Sequence, residues 1–407
     1  MDRARTRSEG TIGSEAGLAT GATGALKPGS NGRGTVIPGV STGGRPTDTV
    51  SVSVRTEAGS CARCTMTLSY VATVGSANDK ELINDSGTLL ALPSGQFLVW
   101  GEGPILRYAP DGRFLGPLGR IGDGPGEYRG QKSVVAARGD SVSIFSYGRV
   151  TTISVATGAG RTAQAGKPLS AFRHLVLPSG DALIQNYAGP TLPFVLLAPD
   201  AAVKLTFGPP ATVVDFGNGR QGPDYDSQQY LVAPATGDGF WAAPQFYHYG
   251  LQRWSASGEK LQTIARTPTW FPTHDFAALT EARRRGAGIT PPLPFAVALW
   301  SDRGRLFLFG RAADAKWQAD PNAPKLAEIP AGQGERRAAP WVPTGGLGRY
   351  YDGVIDAYDA AAATFLGSWR ADAWITGAVG NGMLATRVES TDGVVSFHVW
   401  RVGFTGP

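Results

Sequence analysis

The chain repeats one local pattern six times: an apolar strand, a turn that carries glycine, and a second apolar strand. The copies are LLALPSGQFLVW around Gly95, VVAARGDSVSIF around Gly139, HLVLPSGDALIQ around Gly180, YLVAPATGDGFWAA around Gly237, AVALWSDRGRLFLF around Gly304 and ITGAVGNGMLATRV around Gly382. Successive glycines lie 44, 41, 57, 67 and 78 residues apart. A four-stranded propeller blade takes about 40–45 residues, so the first two intervals fit a blade and the other three demand insertions. Glycine suits these turns because a tight hairpin needs positive φ, which a side chain disfavours.

A second turn follows each of the first five copies and signals two further strands. These turns carry Asp111–Gly112, Gly158, Asp200, Gly258 and Asp359. The sixth copy continues into SFHVWRVGF, a third strand with no fourth after it. Near the other end of the chain, residues 65–75 (TMTLSYVATVG) read as a strand with no hairpin partner beside them. One architecture reconciles the two: an all-β, six-bladed β-propeller closed by an N-terminal strand pairing with the C-terminal blade, residues 65–75 lying against 394–403. Closure of this kind protects a sheet edge that would otherwise template aggregation.

Residues 1–50 are rich in Gly, Ser and Thr. They are expected to be disordered, because they cannot bury enough apolar surface to offset the entropy of ordering. Structure is expected from about Thr49, where TVSVSV alternates, and the propeller is assigned to 51–407. Three insertions interrupt it. Residues 208–226 read as loop. Residues 267–293 hold the one helix expected, about Asp275–Arg285, with Thr273 as cap and Gly286 as stop. Residues 311–349, polar and proline-rich, are placed between the middle strands of blade five.

Composition excludes more than it selects. Thirty-eight basic and 33 acidic residues leave a net charge of +5, too thin a balance to argue for nucleic acid. No apolar run reaches 18 residues, so no membrane-spanning helix is expected. The opening MDRARTRSEG is basic but lacks an apolar stretch behind it, as a secretory leader would have. The chain is expected to be periplasmic or extracellular if a leader precedes this start, and cytoplasmic otherwise. A monomer is expected.

The run Gly119–Tyr128, GRIGDGPGEY, resembles the NHL-type repeat junction G-x-x-G-x-G-P-G-E-F/Y, and APDGRF stands upstream of it. Over residues 50–405 the chain is similar to bacterial six-bladed propellers of the NHL/TolB-like class. That resemblance implies a propeller fold. For function it implies a binding scaffold or, in a few relatives, a lyase or lactonase-like hydrolase, so the fold does not settle the activity.

Several residues carry chemistry worth weighing. Cys61 and Cys64 allow a local disulfide, a reduced pair, or a redox or metal site. The strand-like sequence after Cys64 argues against the helix N-terminus that a thioredoxin-like thiol needs, and no second cysteine pair exists to complete a zinc site. Glu127 suits a turn-fixing role, accepting backbone N–H bonds in the junction. Trp241, Tyr247, His248, Trp270, Phe271 and His274 cluster around the second insertion and are the candidate ligand contacts, with inter-blade packing as the competing role. No catalytic residue, metal ligand or cofactor site is expected. The expected function is a non-catalytic binding or scaffold propeller for an unknown protein, peptide or small molecule. Its alternative is a metal-dependent lactonase-like hydrolase or a lyase using the central channel.

Overall fold

The computed structural model describes residues 49–50, 61 and 63–405, with breaks at 85–86, 131, 167–168, 170, 187–191, 217–218, 286–287, 289, 322, 324–347, 349 and 373. Strand β1 is Thr49–Val50 and β2 is Thr65–Val74. Blade one runs from β3 (Thr88–Ala91) through β4 (Phe97–Trp100) and β5 (Ile105–Tyr108) to β6 (Phe114–Leu118). Blade two comprises β7 (Ser133–Ala136), β8 (Ser141–Ser146), β9 (Arg149–Ser154) and β10 (Gly160–Gln164). Blade three holds β11 (Ala171–Val176), β12 (Ala182–Asn186), β13 (Phe194–Leu197) and β14 (Val203–Phe207). After the small hairpin β15–β16 (Val213–Asp215, Gln221–Pro223), blade four takes β17 (Tyr230–Pro234), β18 (Gly239–Pro244), β19 (Leu251–Ser255) and β20 (Lys260–Ile264). Helix α1 (Phe276–Arg285) precedes blade five, made of β21 (Phe295–Asp302), β22 (Arg305–Ala313), β23 (Tyr351–Asp359) and β24 (Thr364–Ala371). Blade six takes β25 (Gly377–Gly380), β26 (Met383–Glu389) and β27 (Val395–Thr405) from the end of the chain.

Each blade is an antiparallel meander, and the first strands neighbour one another in the cycle β3, β7, β11, β17, β21, β25 and back to β3. The all-β, six-bladed propeller expected from the repeats is therefore the fold. Every one of the six repeat glycines occupies a turn between first and second strands, with φ from +65° to +89°. At the seam, β2 pairs antiparallel with β27 from Thr65↔Thr405 to Val74↔Phe397. The spare strand is thus the fourth strand of blade six. It is not the outermost one, because β1 pairs with its free edge through Thr49↔Ser69 and Val50↔Leu68. Thr49 and Val50 accordingly lie in a strand, whereas the rest of the expected tail, residues 1–48, lies outside the described residues.

Large apolar side chains fill the space between blades. Trp241, Trp369, Tyr108, Tyr128, Tyr358 and Phe194 are among the largest fully buried ones. Burying a side chain of this kind contributes on the order of 2–3 kcal/mol, which makes inter-blade packing the main cohesive force. Close backbone approach adds a demand at Gly112 (φ +88°), where a Cβ would stand 1.9 Å from the carbonyl oxygen of Thr73 on the closing strand. Glu127 plays the turn-fixing part expected of it. Its carboxylate accepts from the Gly124 N–H at 2.7 Å and pairs with Arg120. It lies so close over the turn that a Cβ at Gly122 would stand 2.1 Å from Glu127 Oε2.

Two details differ from the sequence-based expectation. The stretch 208–226 is not plain loop: Val213↔Pro223 and Asp215↔Gln221 pair as β15 and β16, and a 3-10 turn follows at Tyr225–Gln228. Its strands are three residues each, too short for an alternating pattern to register. Helix α1 is capped by Asp275 rather than Thr273, because Asp275 Oδ1 accepts from the Ala278 N–H at 2.8 Å. The expected stop at Gly286 and most of the third insertion (324–347) lie outside the described residues.

Candidate ligand-binding cleft

Within a blade, the turns joining strands one to two and three to four lie on one face of the ring. The two-to-three turns and the links between blades lie on the other. On that second face three segments converge over blade four. They are the link carrying β15–β16, the turn between β18 and β19, and the residues leading into α1. Between them is a cleft of about 560 Å³.

Tyr247 forms its floor. The two-to-three turn is tight enough to put this aromatic residue at φ +70°, and its carbonyl accepts from the His274 N–H at 2.8 Å. That bond ties the turn to the α1 segment, and the two rings meet edge to face at 5.5 Å. Asp224 faces them from the neighbouring link. Its carboxylate caps the 3-10 turn by accepting from the Asp226 N–H at 3.0 Å. Burial raises its pKa from the ordinary carboxylate value, and a hydrogen bond from the Tyr247 hydroxyl pulls in the opposite direction.

The two histidines differ. His248 is exposed at the rim, although the partial burial of its ring lowers its pKa. His274 stacks on Phe271 with the rings 26° from parallel and their centres 6.3 Å apart. Its Nδ1 is 3.4 Å from the Pro272 carbonyl, and since a carbonyl only accepts, the neutral ring carries its proton there. Nε2 is then a lone-pair acceptor, buried and without a partner among the described residues. Desolvation lowers the His274 pKa, and the nearby His248 lowers it further. Pro209, Pro210, Val214, Tyr230 and Phe276 supply apolar wall.

Of the six candidate ligand contacts, Tyr247, His248 and His274 line this cleft. Trp241, Trp270 and Phe271 do not. They are buried in the core between blades four and five, at 1%, 6% and 1% exposure. The Trp270 indole N–H donates to Asp356 Oδ2 at 3.2 Å. Hydrophobicity does not distinguish an aromatic residue that packs between blades from one that faces a ligand. The sequence reading missed Asp224 and Tyr230. An Asp two residues before another Asp and three before Ser227 was a capping signal that would have placed Asp224 at a turn.

Cys61 and Cys64 form a disulfide with Cα atoms 5.4 Å apart. The Cys61 N–H donates to the Leu366 carbonyl of β24 at 3.3 Å, so the start of the closing strand is tied to blade five. One set of three carboxylates close enough to share a cation occurs among the described residues: Asp314, Asp352 and Asp372. All three come from blade five. Arg370 pairs with Asp352 and Lys316 pairs with Asp372, so basic side chains already compensate much of that charge.

No family model matches the chain, and a comparison with curated proteins finds no relative. Among solved structures the chain is similar to a putative exported protein from Bacteroides fragilis, with 12% identity and a TM-score of 0.51 over 86% of this chain and 98% of that one. A looser likeness, with a TM-score of 0.36 and 12% identity, covers 85% of this chain and all of the PQQ-bound aldose sugar dehydrogenase from Streptomyces coelicolor. At such identities the likeness is one of fold. No helix among the described residues is long and apolar enough to cross a membrane.

Proposed function

We propose that this chain is a non-catalytic binding propeller of the NHL/TolB-like class, monomeric and exported, whose ligand occupies the cleft over blade four. The cleft itself carries the reading. Two insertions meet a strained turn there and leave about 560 Å³ between apolar walls and polar groups. Its lining includes Asp215, Asp224 and Asp275 but no Lys or Arg among the described residues, and the pKa values of both histidines are depressed, which favours neutral rings at pH 7. Such a surface favours a small molecule or peptide with an apolar body and a cationic or hydrogen-bond-donating group. Export rests on the disulfide, since such bonds persist in oxidising compartments. The similar Bacteroides fragilis protein accords with it.

The competing metal-dependent hydrolase or lyase would draw convergent carboxylates from several blades. The one such trio among the described residues belongs to a single blade.

Tryptamine and indole-3-propionate test the reading, because they share a ring and differ in the sign of their charge. Calorimetric titration of the full chain at pH 7 should show tryptamine binding at least about tenfold more tightly, the value of one charge-assisted hydrogen bond. Asp224→Asn keeps the capping geometry and should erase most of that preference. Equal affinity for the two compounds, or no binding of either at millimolar concentration, would refute the proposed ligand class.

A further inference from the structure

The opposite face of the ring carries a second cleft of about 480 Å³ at the seam, where blades five, six and one meet. Its origin lies in the closure. In the other five blades a turn joins the third strand to the fourth on this face. In blade six the third and fourth strands, β27 and β2, are separate segments and not the arms of one hairpin. Asn381 Nδ2 holds the neighbouring turn against blade one by donating to the Leu92 carbonyl at 2.6 Å.

The cleft is basic and aromatic. Arg303, Arg305 and Arg401 line it against the single acid Asp302, a balance of 3 − 1 = +2. Arg303 is 3.8 Å from Asp302, and Arg305 and Arg401 have no carboxylate partner among the described residues. The Arg305 guanidinium lies 4.4 Å from the centre of the Phe404 ring, which holds it in a defined position. Trp300 forms part of the wall, stacked on Phe307 at 5.1 Å with the rings 13° from parallel. The Trp300 side chain is 7% exposed, and its indole N–H has no acceptor among the described residues. A buried donor without an acceptor is costly, and an anionic oxygen in the cleft would remove that cost. Three arginines and one orphan donor among the residues lining a single cleft are a set suited to a planar or tetrahedral oxyanion.

We propose that the seam cleft binds a small ligand through a carboxylate or phosphate group, held by Arg303, Arg305 and Arg401 with the Trp300 N–H as a further donor. It is independent of the acidic cleft on the other face.

The ¹H–¹⁵N indole resonance of Trp300, assigned by its loss in Trp300→Phe, reports on the site directly. Galacturonate, neutral galactose and inorganic phosphate are titrated into the full chain at low ionic strength. A saturable Trp300 shift with galacturonate or phosphate, absent with galactose, is expected. Whichever anion binds more tightly identifies the source of the oxygens. Arg401→Glu should weaken binding about tenfold or more. Arg303→Glu, at an exposed turn residue, should do the same and serves if the first variant does not fold. The proposal is overturned if neither anion moves Trp300 at about 10 mM, the weakest affinity worth calling a site, if galactose moves it equally, or if both arginine variants bind like the parent.

Discussion

His174 shows how much one residue can depend on its blade neighbours. It lies on the first strand of blade three, yet its ring nitrogens bond the hydroxyls of Ser133 and Ser143 in blade two at 3.0 and 3.2 Å. Full burial lowers its pKa from 6.5 to about 4. The folded ring is therefore neutral in a range where the unfolded ring takes a proton. Between pH 6.5 and 4 the unfolded state binds the extra proton, so stability rises with pH across that window and is lost as pH falls. From pH 6.5 to pH 5 the loss from this residue should be about 1.5 kcal/mol. His248, His274 and His398 are also depressed by burial and add to the slope in the same direction. Urea unfolding at several pH values should show a shallower slope for His174→Gln than for the parent. An unchanged slope would mean that His174 is not the buried, neutral group described.

Among the elements, the segment between β20 and α1 depends on one buried carboxylate. Asp356 on β23 accepts from the Tyr249 hydroxyl at 2.6 Å, Arg266 Nη1 at 3.0 Å and the Trp270 indole at 3.2 Å, all at Oδ2. The Arg266 guanidinium also lies 3.5 Å from the centre of the Phe365 ring. Removing one partner of such a buried pair leaves the other charged without compensation, which costs about 3–5 kcal/mol. Asp356→Ala should therefore lose that much stability in chemical unfolding. It should also loosen the stretch leading to His274, so that tryptamine binding weakens with it. A loss below about 1 kcal/mol would show the network to be incidental.

The same elements show what the sequence could reveal. Hairpin turns were legible because the backbone imposes them locally: the glycines at 95, 139, 180, 237, 304 and 382 all have positive φ. The seam was legible because a strand without a neighbour in sequence must find one elsewhere. Contacts between blades were not. Nothing in the sequence says that Asp356 meets Trp270, or that Trp241 packs inward while Tyr247 faces the cleft, since each depends on which blade stands alongside. Tyr247, His248 and His274, which line the cleft, could be singled out because aromatic and histidine residues gathered at an insertion. The seam arginines were missed because Arg303, Arg305 and Arg401 come together only once the ring is closed.

For the whole molecule, closure is the feature on which both faces depend, and it can be moved. Thr65 and Thr405 are paired at the ends of β2 and β27, and their hydroxyls bond one another. Two residues such as Asn-Gly suffice to join antiparallel strands ended in this way. A permuted chain can therefore run from Thr405 through Asn-Gly into Thr65, with new ends placed between β22 and β23 within 324–347. Blade six would become an ordinary meander, and blade five would be shared between the chain ends. The permuted chain keeps every strand pairing except that of β1 with β2 and drops the Cys61–Cys64 disulfide with its bond to Leu366. The loop-closure terms differ little, so stability should fall by no more than a few kcal/mol, on the order of 2–4. The seam cleft should respond most, because the new turn lies over the end of the sheet beside Phe404 and Arg401. Chemical unfolding and the Trp300 resonance measure the two effects separately. A permuted chain that cannot fold would show that pairing between β2 and β27 does not by itself close the ring.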